Sequence, residues 1–72
     1  MKPGTIIRVL TSENSTIDYI LEYVSSYCYV IRNKEENHFF SIPFFEMDDL
    51  FVGEISRTIF LYDFRKYSEF KK

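Results

Sequence analysis

Eight Phe and six Tyr make fourteen of the 72 residues aromatic, and the chain contains no Ala, Trp or Gln. That combination constrains the fold more than any other feature. Alanine is the strongest helix former, whereas aromatic and β-branched side chains suit a pleated, half-buried surface. With Val, Ile, Leu, Met and Cys included, 33 residues are large and apolar. One small domain, residues 1–72, is the expected unit. A domain this size buries only about 60% of the surface its unfolded chain exposes. Part of the aromatic surface therefore faces outward, where it can meet a partner. Codon usage offers a plainer source for the aromatics. Phe, Tyr, Met, Ile, Asn and Lys, with AT-rich codons, total 32 residues, against 8 for Gly, Ala, Arg and Pro. Exposed aromatics are adhesive whichever cause put them there.

The formal net charge is −2, so no basic field draws the chain to nucleic acid or anionic lipid. Cys28 is the only cysteine, which fits a reducing compartment better than a disulfide-stapled secreted domain. No apolar run of about 7–15 residues follows Lys2, so no signal peptide is read. No stretch reaches about 18 apolar residues, so no spanning helix is read either. The expectation is a cytoplasmic protein without membrane contact.

Along the chain, Pro3-Gly4 marks a turn and residues 5–10 read as a strand, with Ile7 and Val9 inward and Arg8 in water. Residues 11–15 are a polar loop. Residues 16–24 support two readings. As a helix, Ile17, Ile20, Leu21 and Val24 recur at i, i+3, i+4 and i+7, and Ser15 with Asp18 imitates a capping box. As a strand, Ile17, Tyr19, Leu21 and Tyr23 alternate with Asp18 and Glu22. The lack of alanine and the Tyr, Ile and Val content favour the strand. Residues 27–32 are a strand, residues 33–37 a charged turn, and residues 38–42 the hairpin partner, ended by Pro43. Residues 44–50 form one helical turn and residues 51–55 a short closing strand. Residues 56–72 suit a helix carrying Ile59, Tyr62 and Tyr67 on one side, although residues 58–62 suit a strand equally. Lys71 and Lys72 are expected to fray.

Residues 4–55 resemble an SH3-like small barrel of the Tudor and KOW kind. The features that carry the likeness are the opening strand Gly4-Thr5-Ile6-Ile7-Arg8-Val9, then Tyr29-Val30-Ile31, the charged turn, and Phe40-Ser41-Ile42-Pro43. The fold class expected is mainly β, a barrel of about five strands with a C-terminal extension, residues 56–72, that is helical or packs on a partner. An α+β fold with a helix at residues 15–26 is the alternative. Such barrels host unrelated functions, so the likeness implies none by itself. Tudor-type relatives hold methylated side chains in an aromatic cage, to which Tyr27, Tyr29, Phe39 and Phe45 are the available contributors. KOW-type relatives that bind nucleic acid usually have basic loops, whereas here the loops read Ser12-Glu13-Asn14 and Lys34-Glu35-Glu36.

Reactive side chains are few. His38 is the only histidine, at a strand start, and reads as a turn-flanking polar residue. Cys28, inside an apolar strand, reads as a small buried hydrophobe. One Cys and one His do not make a tetrahedral zinc site without further ligands. Glu46, Asp48 and Asp49 form one dense acidic cluster beside Phe44, Phe45, Met47 and Phe51. Paired carboxylates there offer acid–base chemistry or oxygen ligation, and the plainer reading is a solvated helical turn pinned by its aromatics. Acid beside exposed aromatics also suits a basic groove on another protein. Tyr19 and Tyr23 share a face on either reading of their segment, and Tyr is favoured at interface centres.

The function expected is protein–protein interaction, without catalysis or cofactor. The chain reads as a small accessory or inhibitory protein, of the kind phages and mobile elements encode, that occludes or recruits a larger protein. Its expected partner-binding residues are Tyr19, Tyr23, Phe44, Phe45, Glu46, Asp48 and Asp49. Homodimerisation is a further expectation, since pairing covers surplus apolar surface. A nucleic-acid module using aromatic stacking is the alternative, and it requires Arg8, Arg32, Arg57, Arg65 and Lys66 to share one face.

Overall fold

A computed structural model describes residues 1–67. The elements run in the order β1 (Ile6–Ser12), β2 (Ser15–Val24), β3 (Cys28–Asn33), β4 (His38–Pro43), α1 (Phe44–Leu50), β5 (Phe51–Ser56) and β6 (Ile59–Asp63). All six strands belong to one open mixed sheet of order β4-β3-β2-β1-β6-β5. The fold is mainly β, as the composition leads one to expect.

The first four strands form an antiparallel meander. In β1 burial alternates residue by residue, with Ile7, Val9 and Thr11 inside. The β3–β4 turn is built by Asn33, whose Oδ1 accepts the N–H groups of Glu35 and Glu36. Asn37 takes a left-handed φ of 56° there, a conformation Asn tolerates. After Pro43 the chain forms α1, whose Met47 and Leu50 are buried. It then lays β5 at the far edge and turns back as β6, which pairs with β1 in parallel. A parallel neighbour needs a long connection, and here the whole run from β2 to β5 separates β1 from β6.

One face of the sheet and α1 enclose the core of Ile7, Val9, Tyr19, Leu21, Ile31, Ile42, Met47, Leu50, Tyr62 and Phe64. The other face carries a cross-strand row of Ile59, Ile6, Ile20, Arg32 and Phe39, set by the register from β6 to β4. Ile20 thus faces away from the core while Leu21 faces into it.

The favoured strand reading of residues 16–24 holds, as β2, and the alternative helix at residues 15–26 is absent; two further expectations are corrected. The helical spacing of Ile17, Ile20, Leu21 and Val24 arises because both faces of β2 carry apolar residues, which breaks strict alternation. Residues 59–63 are not helical but form a sixth strand, where five were expected. The strand that joins β1 is β6 rather than β5, so β5 reaches the rest of the sheet only through a segment read as an extension. The remainder of the expected extension, with Lys71 and Lys72, lies outside the described residues.

Candidate partner-binding surface

The two most exposed aromatics lie where the β2–β3 turn meets the start of α1, whereas Phe39 and Phe51 are exposed elsewhere, on β4 and β5. Ser25 shapes that turn: its Oγ accepts the N–H groups of Tyr27 and Cys28. The register then brings Val24 opposite Tyr29 and Cys28 opposite Pro43. The Phe44 N–H donates to the Tyr27 carbonyl at 3.1 Å, which ties the helix start to the turn. Tyr27 and Phe45 thus lie on backbone segments that meet at this end of the sheet, and at 71% and 70% exposed they are the two most exposed large apolar side chains of the described residues. Tyr23 and Val24, also exposed, continue this end of the sheet.

The expected site residues divide. Tyr23 and Phe45 are exposed, Asp48 and Asp49 are exposed on α1, and Glu46 is half-buried. Phe44 is half-buried, with its ring 4.7 Å from that of Tyr29, so it anchors the helix to the sheet. Tyr19 is 4% exposed and belongs to the core, which corrects its reading as an anchor. Nor do Tyr19 and Tyr23 share a face. The register shifts between Leu21 and Tyr23, so that Leu21 opposes Ile31 and Tyr23 opposes Val30. A bulge inserts one residue, Glu22, and turns Tyr23 to the other side of the sheet. Glu22 is held by Arg32, Nε to Oε2 at 2.8 Å.

Tyr27 was legible as an aromatic but not as the most exposed one, because its exposure depends on where the turn falls. The four candidate cage residues do not converge. Tyr29 faces the core beside Ile42, whereas Phe39 lies on the opposite face, with the Arg32 guanidinium 6.0 Å from its ring centre.

Three arginines, Arg8, Arg32 and Arg65, are paired with carboxylates. Arg8 makes a two-pronged pair with Asp18 across β1 and β2, at 2.8 and 3.0 Å. Arg65 does the same with Asp63. Hydrogen bonds from these guanidinium groups hold both aspartates below the usual carboxylate range. His38 is exposed, with Nδ1 3.8 Å from Glu36. The Cys28 thiol is buried, 3.1 Å from the Ser25 hydroxyl. Among the described residues no three His, Cys, Asp or Glu side chains come together as metal ligands, and no helix is long and apolar enough to cross a membrane. Comparison with protein families, with curated proteins and with solved structures finds no match to this chain.

Proposed function

We propose that this chain is a protein-interaction module that occludes or recruits a larger protein, using Tyr27 and Phe45 as anchors and the acids of α1 as a rim. The observation that carries this reading is the paired exposure of Tyr27 and Phe45 beside Asp48 and Asp49. Large aromatics held out on a hydrogen-bonded turn lose little freedom on binding, and Tyr is enriched at interface hot spots. Engagement of Arg8, Arg32 and Arg65 by carboxylates supports a protein partner over a phosphate backbone, since each is already matched. The favoured partner surface is basic, to suit the acids. The SH3-like reading of the meander and helical turn belongs with this proposal, as does a reducing, cytoplasmic setting in which Cys28 stays a thiol.

The test is a tagged pull-down from lysate with and without nuclease, run beside the double variant Tyr27→Ser, Phe45→Ser. One protein retained near stoichiometrically by the wild type and lost by the folded variant supports the module. Capture that disappears with nuclease, or is unaltered by the double substitution, overturns it.

A further inference from the structure

The Pro3-Gly4 turn and the β5–β6 turn each carry a cation, Lys2 and Arg57, that no carboxylate of the described residues engages. Pro3 and Gly4 form the middle of a turn closed by the Thr5 N–H, which donates to the Lys2 carbonyl at 3.1 Å. The Thr5 hydroxyl donates to the same carbonyl at 2.6 Å. Gly4 takes φ 94°, the left-handed conformation that the second central residue of such a turn requires. Arg57 and Thr58 make the two-residue turn between the paired Ser56 and Ile59. The Ile6 N–H donates to the Thr58 carbonyl at 2.7 Å and the Gly4 N–H to the Leu21 carbonyl at 2.8 Å, so both turns are fixed to the sheet.

A cavity of about 510 Å³ lies between these turns, within the range of about 300–1,000 Å³ typical of small-molecule sites. Lys2, Arg57, Thr58 and the half-buried Phe60 line it, together with Pro3 and Gly4, and its wall holds no carboxylate. Two other cavities differ on this point. The one beside Lys34 also holds Asp18, Glu35 and Glu36, and the one beside Lys66 holds Asp49 and Asp63. Glu54, opposite Phe60 on β5, lies outside the wall. Positive charge without a matching acid, beside an aromatic ring, makes this cavity attractive to anions even in a chain of net charge −2.

We infer that this cavity binds a small organic phosphate carried on a flat ring, of the nucleoside monophosphate class. Two cations match the charge of about −1.5 to −2 on a phosphate monoester at neutral pH better than the single charge of a carboxylate. Arg57 meets the phosphate oxygens through paired N–H donors, and Lys2 acts as a point charge. The ring lies against Phe60, since every base offers a π-face to an aromatic side chain. An inorganic anion would leave Phe60 unused, and an uncharged ring would leave both cations unused. The cavity shares no residue with the Tyr27–Phe45 surface, so the inference stands apart from the partner-binding reading.

The deciding experiment is titration of the full chain with adenosine monophosphate, followed by amide NMR shifts, beside adenosine and inorganic phosphate. Saturable shifts centred on Gly4, Thr5, Thr58 and Phe60 are expected, with adenosine and inorganic phosphate each weaker by about tenfold or more. Lys2→Gln and Arg57→Gln, both at exposed positions, should keep the fold and each weaken binding about fivefold. No saturable shift up to about 10 mM, shifts centred elsewhere, or binding that both substitutions leave unchanged overturns the inference. So does adenosine binding as tightly as its monophosphate, which removes the role of the cations. Inorganic phosphate binding equally well also overturns it, by removing the role of Phe60. Tyr27→Ser, Phe45→Ser should bind adenosine monophosphate as the wild type does, so failure of the partner-binding reading remains distinguishable.

Discussion

The phenol of Tyr62 is enclosed by two aromatic neighbours, with ring centroids 5.3 Å away at Phe51 and 6.2 Å away at Phe64. Burial, aided by the negative charges Tyr29 and Asp48 carry at high pH, pushes its pKa up from 10.0 to about 12. A raised folded-state pKa means the native state favours the neutral phenol. Its contribution to stability is full below pH about 10 and is lost as pH rises towards 12. Burial raises Tyr19 as well, so ultraviolet titration should show both tyrosines ionising late, Tyr62 together with loss of structure, and Tyr62→Phe should extend folding to higher pH. The sign reverses for Asp18, whose pKa the Arg8 guanidinium lowers through hydrogen bonds and charge, partly opposed by burial. Its contribution is present above the ordinary carboxylate value and is lost as pH falls through the lowered one. The pair is substantially open to solvent, so Asp18→Asn should cost only about 0.2–1 kcal/mol by denaturant titration at neutral pH. A larger cost would make this pair a structural element rather than a surface one.

At the level of elements, β6 has the most consequential position. It lies between β1 and β5, and its face adds Phe60 and Tyr62 to the core, with Phe64 just beyond. A chain ending at Ser56 would leave β5 without a partner and β1 with a bare edge. Such a truncation should lack a cooperative thermal transition, monitored by circular dichroism. Cooperative unfolding of residues 1–56 would show instead that the meander and α1 form a self-sufficient unit. The bulge in β2 acts at this scale too: one inserted residue sends Tyr19 to the core and Tyr23 to the surface.

Across the whole molecule, the pairing of β1 with β6 joins segments at opposite ends of the described chain. Loop closure over such separations has to precede the contacts that reward it, so folding should be slow for this size. Refolding by stopped flow is expected in milliseconds to seconds, and microsecond refolding would contradict a late-forming parallel pair. The molecule also separates two kinds of exposed apolar surface. The Tyr27–Phe45 end is aromatic and acid-rimmed, whereas β5 is an apolar edge with a glycine at its centre.

Much of the local structure was legible from residues alone. Periodicity and β-branching placed β1 and β3, the charged turn from Asn33 and Pro43 delimited β4, and residues 44–50 read as one helical turn, as α1 is. These are short-range effects, carried by neighbours in the chain. What the tertiary structure decided was which strands are neighbours and which face each residue takes. Residues 58–62 suit a helix or a strand until β1 offers a parallel partner. Ile20 joins the apolar face in a helix and breaks the alternation in a strand, and the register puts it on the face away from the core. The exposure of Tyr27, the burial of Tyr19 and the free edge beside Gly53 all stem from a bulge, a turn or a strand order. Those depend on pairings between distant segments, whose free energy no local pattern of residues contains.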